Sequence, residues 1–339
     1  MLVRPSLASA AVPASISVVI VAYNNGDALN RCLESLEPEG AEAIVVNNGD
    51  PLPELGVRVV EPGLNVGFAA GCNLGAVHAS GEVLVFLNPD TVVAPGALAE
   101  LARTLEDRTI GIAMPRLRLL DRPELLNSGG NVLHVTGLAW AGDYGEPADE
   151  IRELRDVTYP TGAAMAIRAD LFRELGGFTE ELFMYQEDLE LGWRARLHGL
   201  RIVVTPRADV YHDYEFGRNP RKQYLLERNR LVFVLSAYSG RMLAVLAPVL
   251  LAGELGMAAL AAKEGWLRDK AAGWGWCAAH ARWLVRHRRE TQRLRRVRDR
   301  DLAPLLTASI DPKMIELPKP VGAANRLMTW YWSIARRAL

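Results

Sequence analysis

The chain has 339 residues, half of them hydrophobic and 23% charged, and its three cysteines, Cys32, Cys72 and Cys277, lie far apart with no CxxC pair. This argues against a disulfide framework and for a globular protein in a reducing compartment, built as one large domain with an appendage or as two domains. The formal net charge of −1 hides an asymmetry: Lys263 to Arg300 holds twelve Lys or Arg against four Asp or Glu, so the body is acidic and the tail basic. Such a tail faces something anionic, either nucleic acid or a phospholipid surface.

Residues 1–15 lack the long apolar core of a signal peptide and read as a disordered leader. ISVVIVAY (Ile16 to Tyr23) has the composition of a buried strand, and Asp27 is placed to cap a helix over ALNRCLESL. AIVVNN, VRVV and EVLVFLN supply further strands, and the small-residue run GFAAGCNLGAVHA predicts a helix that packs closely on a sheet. β-branched runs alternating with helices predict a mostly parallel sheet covered on both faces. Ligands of such sheets bind at the C-terminal strand ends, which here carry Tyr23, Asn24, Asn25, Asn47, Asn48, Asn88 and Asp90.

Asp121 to Val157 shows little periodicity and is expected to run over the surface. YPTGAAMAIR returns to strand character, ADLFRELGGF predicts a short helix stopped by Gly176 and Gly177, and RIVVTP is another strand. Tyr211 to Asn229 begins as a polar loop and turns helical. Met242 to Ala262 is apolar apart from Glu254 and approaches the ~20 residues needed to span a bilayer. The acid near its middle favours a helix lying at an interface or packed on the domain. Trp266, Trp274, Trp276 and Trp283 then interleave with the basic run, a combination typical of membrane interfaces.

The stretch LFMYQEDLELGWR (Leu182 to Arg194) wedges Glu187, Asp188 and Glu190 between apolar and aromatic residues. A carboxylate so surrounded should have a raised pKa, which suits a general base. The alternative is an acidic first turn complementing the helix dipole. LNPDT places Asp90 at a strand end, where a carboxylate can hold a divalent cation together with phosphate oxygens, although Asn-Pro-Asp is also a plain turn signal. The glycines of LNVGFAAGCNLG fit either an anion at a helix start or close packing.

In order, VIVAYNN, VVNNG, NVGFAAGCNLG, LNPDT, TGAAMAIRADLFRELGGFTEELFMYQEDLELGWR and VYH resemble the family 2 glycosyltransferases, most closely their rhamnosyltransferase-like branch, over about Ile16 to Tyr238. The resemblance implies a GT-A fold, an α/β Rossmann-like mostly parallel mixed sheet flanked by helices. Its nucleotide half would cover about 16–120 and its acceptor half about 121–238, followed by a helical, basic C-terminal appendage over 239–339. It implies that Ala22, Tyr23 and Asn24 line the nucleotide pocket, with Asn47 where the family usually has an aspartate contacting the base. Asn65, Gly67 and Asn73 would form the pocket floor, and Asn88 and Asp90 would stand for the metal-binding DxD. His212 would complete the shell of a Mg²⁺ or Mn²⁺ ion. Asp188 matches the catalytic base with Glu187 beside it, and Arg218, Arg221 and Lys222 sit where a basic loop closes over the diphosphate.

The expected reaction is inverting transfer of a sugar, rhamnose as the first choice, from a dTDP- or UDP-linked donor to a cell-envelope glycan or polyprenyl-linked acceptor. No protein nucleophile is needed, in keeping with the lack of any Ser/His/Asp or Cys/His pattern. A nucleotide-sugar-forming nucleotidyltransferase would carry a Gly-rich basic loop after the first strand, where VAYNNGDALN has none. A non-catalytic binding protein of the same fold would not be expected to retain Asp90, Asp188 and His212 together. The tail is expected to hold the protein peripherally on the cytoplasmic face of the cell membrane, not on nucleic acid, because its tryptophans adjoin an apolar helix. Homo-oligomerisation is left open.

Overall fold

The computed structural model describes residues 14–213, 221–314 and 321–339. In chain order the strands are β1 (Ile16–Ala22), β2 (Glu42–Asn47), β3 (Arg58–Val60), β4 (Val83–Leu87), β5 (Thr91–Val93), β6 (Ile110–Leu119), β7 (Leu126–Ser128), β8 (Asn131–His134), β9 (Ala139–Ala141), β10 (Arg155–Asp156), β11 (Ala164–Arg168), β12 (Arg201–His212) and β13 (Leu306–Thr307). The α-helices are α1 (Gly26–Leu36), α2 (Gly67–His78), α3 (Ala97–Thr104), α4 (Ala169–Leu175), α5 (Glu187–Leu197), α6 (Lys222–Ala237), α7 (Gly240–Glu264), α8 (Leu267–Ala279), α9 (Ala281–Arg293), α10 (Asp299–Leu302) and α11 (Val321–Ala335).

The main sheet runs β10-β12-β6-β11-β4-β1-β2-β3, with β5 against β12 and β7 against β6. β1 pairs parallel with β2 and β4, whereas β11 pairs antiparallel with both β4 and β6, so the sheet is mixed. Both faces are covered, as the unbroken apolar runs require. Val18, Ile20 and Ala22 of β1 face α1 and α3, and Val19 and Val21 face α2 and α4, the period-2 alternation of a strand between two layers.

Several expectations need correction. Asp27 does not cap α1; Asn25 holds the N-cap position and Asp27 lies in the first turn. The stretch from Asp121 to Val157 is not a surface excursion. It contributes four short strands and buries Leu126, Leu133 and Val135, because its apolar residues are spaced too irregularly to register as periodic. β11 begins only at Ala164, and β12 continues to His212. β6 was not foreseen because Pro115, Arg116 and Arg118 interrupt its apolar pattern. The neighbouring β12 bulges between Thr205 and Asp209 opposite Pro115, and both arginines bind Asp209.

The C-terminal helices share a core with the rest. Trp193 of α5, Phe233 of α6, Met242 and Leu246 of α7 and Trp332 of α11 lie in one buried cluster, and β13 pairs with β8. Glu254 turns inward to Arg230 and Lys270, which also binds Glu227, so the acid that interrupts the apolar helix is neutralised on its protein side. The basic run is partly consumed as well. Arg288 donates to the carbonyls of Leu235 and Tyr238, Arg295 pairs with Asp299, and Arg296 pairs with Glu174. Trp276 and Trp283 stack on His280 and His287.

Candidate active site

The turn after β4 carries Asn88 and Asp90, and the Thr91 hydroxyl donates to the Asn88 carbonyl at 2.7 Å. β5 starts at once and pairs with the end of β12, placing Thr91 opposite His212. His212 Nε2 therefore lies 3.3 Å from Asp90 Oδ1, while its Nδ1 is 3.0 Å from Asn127 Oδ1 on β7. If Nδ1 donates to that amide oxygen, Nε2 of the neutral ring presents a lone pair to the carboxylate. Asp90 Oδ1 is buried and makes no hydrogen bond. A carboxylate and an imidazole facing each other in this way fit a divalent cation whose other positions are filled by phosphate and water. Among the described residues no further His, Cys, Asp or Glu completes a three-ligand cluster.

Asp188 opens α5. Its Oδ2 accepts the N–H of Gly162 at 2.8 Å and its Oδ1 the N–H of Leu189 at 2.7 Å. Burial raises its pKa to about 6, and these N–H groups hold it below its neighbour. Glu187 is raised to about 8, first by burial and then by the charge of Asp188, and its Oε2 has no hydrogen-bond partner. Two adjacent carboxyls are thus separated into one that is ionised near neutrality and one that keeps its proton. Glu190 behaves differently. Burial pushes it up, but Arg194 and His287 outweigh that and bring it to about 2. It is half of a buried ion pair, at 2.6 Å from Arg194, that ties α5 to the Gly177 carbonyl, so only two of the three acids fit the raised-pKa expectation.

The segment leading into these acids is conformationally costly. Phe183, Tyr185 and Gln186 all adopt positive φ without being glycine. Such residues persist only where their surroundings over-determine them, and they cluster at functional sites. Here the surroundings are Asn229 and Arg228 of α6. The Asn229 amide, fully buried, donates to the carbonyls of Leu182 (3.0 Å), Met184 (2.9 Å) and Tyr185 (2.7 Å). Arg228 donates to the Leu182 carbonyl at 2.7 Å and to Asn229 Oδ1 at 2.9 Å. On the opposite side the Phe183 carbonyl accepts from Ala69, and a Cβ on Gly67 would lie 2.5 Å from the Phe183 ring. Gly67 is therefore required for close approach and for its own positive φ. Sequence reading passed over Asn229, whose only signal is an amide set among Arg228, Arg230 and apolar helix residues.

The residues expected at the nucleotide divide into two groups. Tyr23 is exposed beside Asn24, whose Oδ1 accepts the Asp50 N–H at 2.8 Å. Asn65 Oδ1 accepts the Gly67 N–H at 2.9 Å, and Asn88 is half-buried with its N–H on the Ala163 carbonyl. Asn47 is buried and donates to both oxygens of Glu61 at 3.1 Å. An exposed acid thus stands beside the position where the resemblance lacks one, and its signal was an acid directly after VRVV. Asn48, at the same strand end, braces Gly67 by donating to its carbonyl at 2.9 Å. Ala22, by contrast, is wholly buried in the core below α1. Asn73 donates to the Phe178 carbonyl and to Glu180 and accepts the Phe178 N–H, so it braces that loop. Arg218 lies outside the described residues. Lys222 lies 5.9 Å from the Tyr185 ring, whereas Arg221 lines a groove between α6 and α8 with Tyr224 and Trp276.

Residues 17–176 match the family described as glycosyl transferase family 2. A pre-mycofactocin glycosyltransferase of Mycobacterium tuberculosis is 28% identical over 208 residues, covering 59% of this chain and 43% of the relative's length. An N-acetylglucosaminyl-diphospho-decaprenol L-rhamnosyltransferase of the same species is 27% identical over 264 residues, covering 66% of this chain and 85% of the relative. The solved structure of GalNAc-T7 with UDP, GalNAc and Mn²⁺ aligns with a TM-score of 0.57 at 21% identity over 68% of this chain and 50% of that one, a likeness of fold. The mixed sheet with helices on both faces is the GT-A fold, and residues 17–176 carry the similarity to glycosyl transferase family 2.

Proposed function

We propose that this protein is an inverting glycosyltransferase in which Asp188 takes the proton of an acceptor hydroxyl as a sugar leaves its nucleoside diphosphate. One observation carries the reading. Gly162 and Ala163 are adjacent in the chain; the first donates its N–H to Asp188, and the carbonyl of the second accepts the N–H of Asn88. Asp188 and the Asn88–Asp90 turn are thus tied to adjacent residues of one backbone segment, which supports placing the acceptor hydroxyl beside the departing diphosphate. A proton acceptor ionised near neutrality, with a protonated acid behind it, is suited to general-base work. Asp90 and His212 would hold a Mg²⁺ or Mn²⁺ ion, whose charge offsets that of the leaving diphosphate. Lys222 would supply further positive charge. Asn24, Asn65 and the Asn47–Glu61 pair would face the nucleotide.

In this reading residues 16–238 form the catalytic unit and 239–339 a helical region built onto it. The rhamnosyltransferase relative makes a dTDP- or UDP-linked rhamnose donor and a glycan or diphospho-polyprenol-linked acceptor the first substrates to try. Thermal stabilisation by dTDP, UDP and GDP, each with and without Mn²⁺, tests the donor side, and sugar release from the matching nucleotide sugars tests the chemistry. Asp90→Ala and chelation by EDTA should each weaken nucleotide binding to a similar extent, and together no further. Undiminished Mn²⁺-dependent binding by the variant would place the metal elsewhere.

A further inference from the structure

Among the described residues α7 is the one helix long and apolar enough to cross a membrane, yet it is packed on the protein along one side, with Met242, Leu246, Val249 and Ala261 buried. Its outer side carries Ala244, Pro248, Leu251, Ala252, Leu255 and Ala259, an uncharged row at helical spacing, with Leu255 74% exposed. The interrupting acid is absent from that row because Glu254 is drawn inward by Arg230 and Lys270 and also accepts the Trp274 indole N–H.

α11 lies alongside and runs the other way. The Tyr331 hydroxyl donates to the Val245 carbonyl, and Arg241 donates to the Ala338 carbonyl. α11 adds an exposed stripe of Leu327, Trp330 and Ile334, and beside it a second exposed row of Arg326, Thr329 and Ser333, with Arg337 exposed just past its end. α11 contains no acid. At the boundary of its two rows Ser309, Asn325, Arg326, Thr329, Trp330 and Ser333 line a cavity of about 480 Å³. The Arg326 guanidinium and the hydroxyls of Ser309 and Thr329, with no carboxylate beside them, make a lining suited to a phosphate-bearing group, while the Asn325 amide is held by Ile310 and the Ser333 hydroxyl by the Trp330 carbonyl. An apolar stripe continuous with it is suited to acyl chains.

We propose that the outer faces of α7 and α11 form a monotopic seat on an anionic phospholipid surface, with a lipid phosphate in the Arg326 cavity. The charge pattern favours lipid over a protein partner: the rim is cationic, the mid-helix acid Glu254 is turned inward while the exposed Glu264 lies only at the C-terminal end of α7, and Trp330 sits at the boundary between apolar and polar rows, as interfacial tryptophans do. The contact is thus assigned to α7 and α11 and not to the arginine run, several of whose members bind the protein itself. It is independent of the sugar-transfer reading, since binding to lipid needs no nucleotide.

Flotation of the full chain with phosphatidylglycerol–phosphatidylcholine vesicles, at low and high salt, tests it. The wild type should float and keep part of its binding at high salt, the part owed to apolar insertion. Leu255→Asp with Trp330→Asp should lower binding about tenfold or more, because each places a charge in the exposed stripe that would enter the lipid. Arg326→Ser should weaken binding to anionic vesicles and leave the weaker binding to neutral ones unchanged. Arg286→Ser with Arg289→Ser and Arg293→Ser on α9 should matter less than either. Melting temperature and Mn²⁺-dependent nucleotide binding report whether each variant is folded. The seat is refuted by wild type that does not float, by loss of flotation only in the α9 variant, or by a dimer in solution that Leu255→Asp dissolves, which would make the face a contact between copies.

Discussion

At the residue scale the site turns on how differently the environment treats two neighbouring carboxyls. Asp188 is held by two N–H groups and Glu187 by none at its Oε2. Asp188→Asn keeps the shape, but its amide loses the capacity to take a proton and must turn an NH₂ toward one of those N–H groups. Turnover should fall about 10²- to 10⁴-fold with nucleotide binding nearly intact. A variant retaining more than half of wild-type turnover would remove Asp188 from the role. Glu187 makes a separate prediction about stability. Its folded pKa is raised to about 8 from an ordinary 4.5, so across that window the folded state binds more protons than the unfolded one. Its contribution is therefore most favourable at low pH and is lost as pH rises towards 8. Glu187→Gln has no such proton to lose. The difference in melting temperature, variant minus wild type, should grow as pH rises through the window; a constant difference would mean that Glu187 titrates normally.

At the element scale the acid pair depends on a loop that its own sequence does not favour. Three non-glycine residues at positive φ precede α5, and α6 holds them through one amide that donates to three carbonyls. Asn229→Ala should remove this donor from the Met184 and Tyr185 carbonyls, the Leu182 carbonyl keeping Arg228, at a cost of about 1–3 kcal/mol in stability, and should free the loop that aims Asp188. A fall in kcat with little change in donor KM, and an altered acidic limb of the pH–rate profile, would mark a positioning role. A loss of stability alone, with kcat intact at a temperature where the variant is folded, would reduce Asn229 to a structural brace.

At the scale of the whole molecule the C-terminal helices are joined to the sheet domain by a buried set of four charges. Lys270 is fully buried and lies 2.5 Å from Glu227 and 3.0 Å from Glu254, both of which also meet Arg230. Removing one member of a buried pair leaves an uncompensated charge and typically costs about 3–5 kcal/mol. Lys270→Ala should lower the denaturation midpoint accordingly, and Lys270→Met with Glu227→Gln should recover part of the loss. A single variant as stable as wild type would show that water reaches the network.

The sequence by itself determined the layered α/β sheet, because its strands are unbroken β-branched runs whose period and composition survive any tertiary context. It also marked the acids at Asp90, Glu187 and Asp188, since short polar motifs at strand and helix ends are visible locally. It did not reveal β6, whose pattern is interrupted by Pro115, nor the strands within Asp121–Val157, because short strands in non-local pairings have too few residues to show a period. Only the tertiary structure decided which acid is which. Glu190 looks like its neighbours in sequence, but Arg194 and His287 face it and keep it charged. The same holds for Glu254, an acid in an apolar helix until Arg230 and Lys270 are brought to it from other helices, and for Asn229, whose three acceptors lie more than forty residues away in the chain. Protonation, pairing and strain are properties of the surroundings, and those surroundings exist only once distant segments have been packed together.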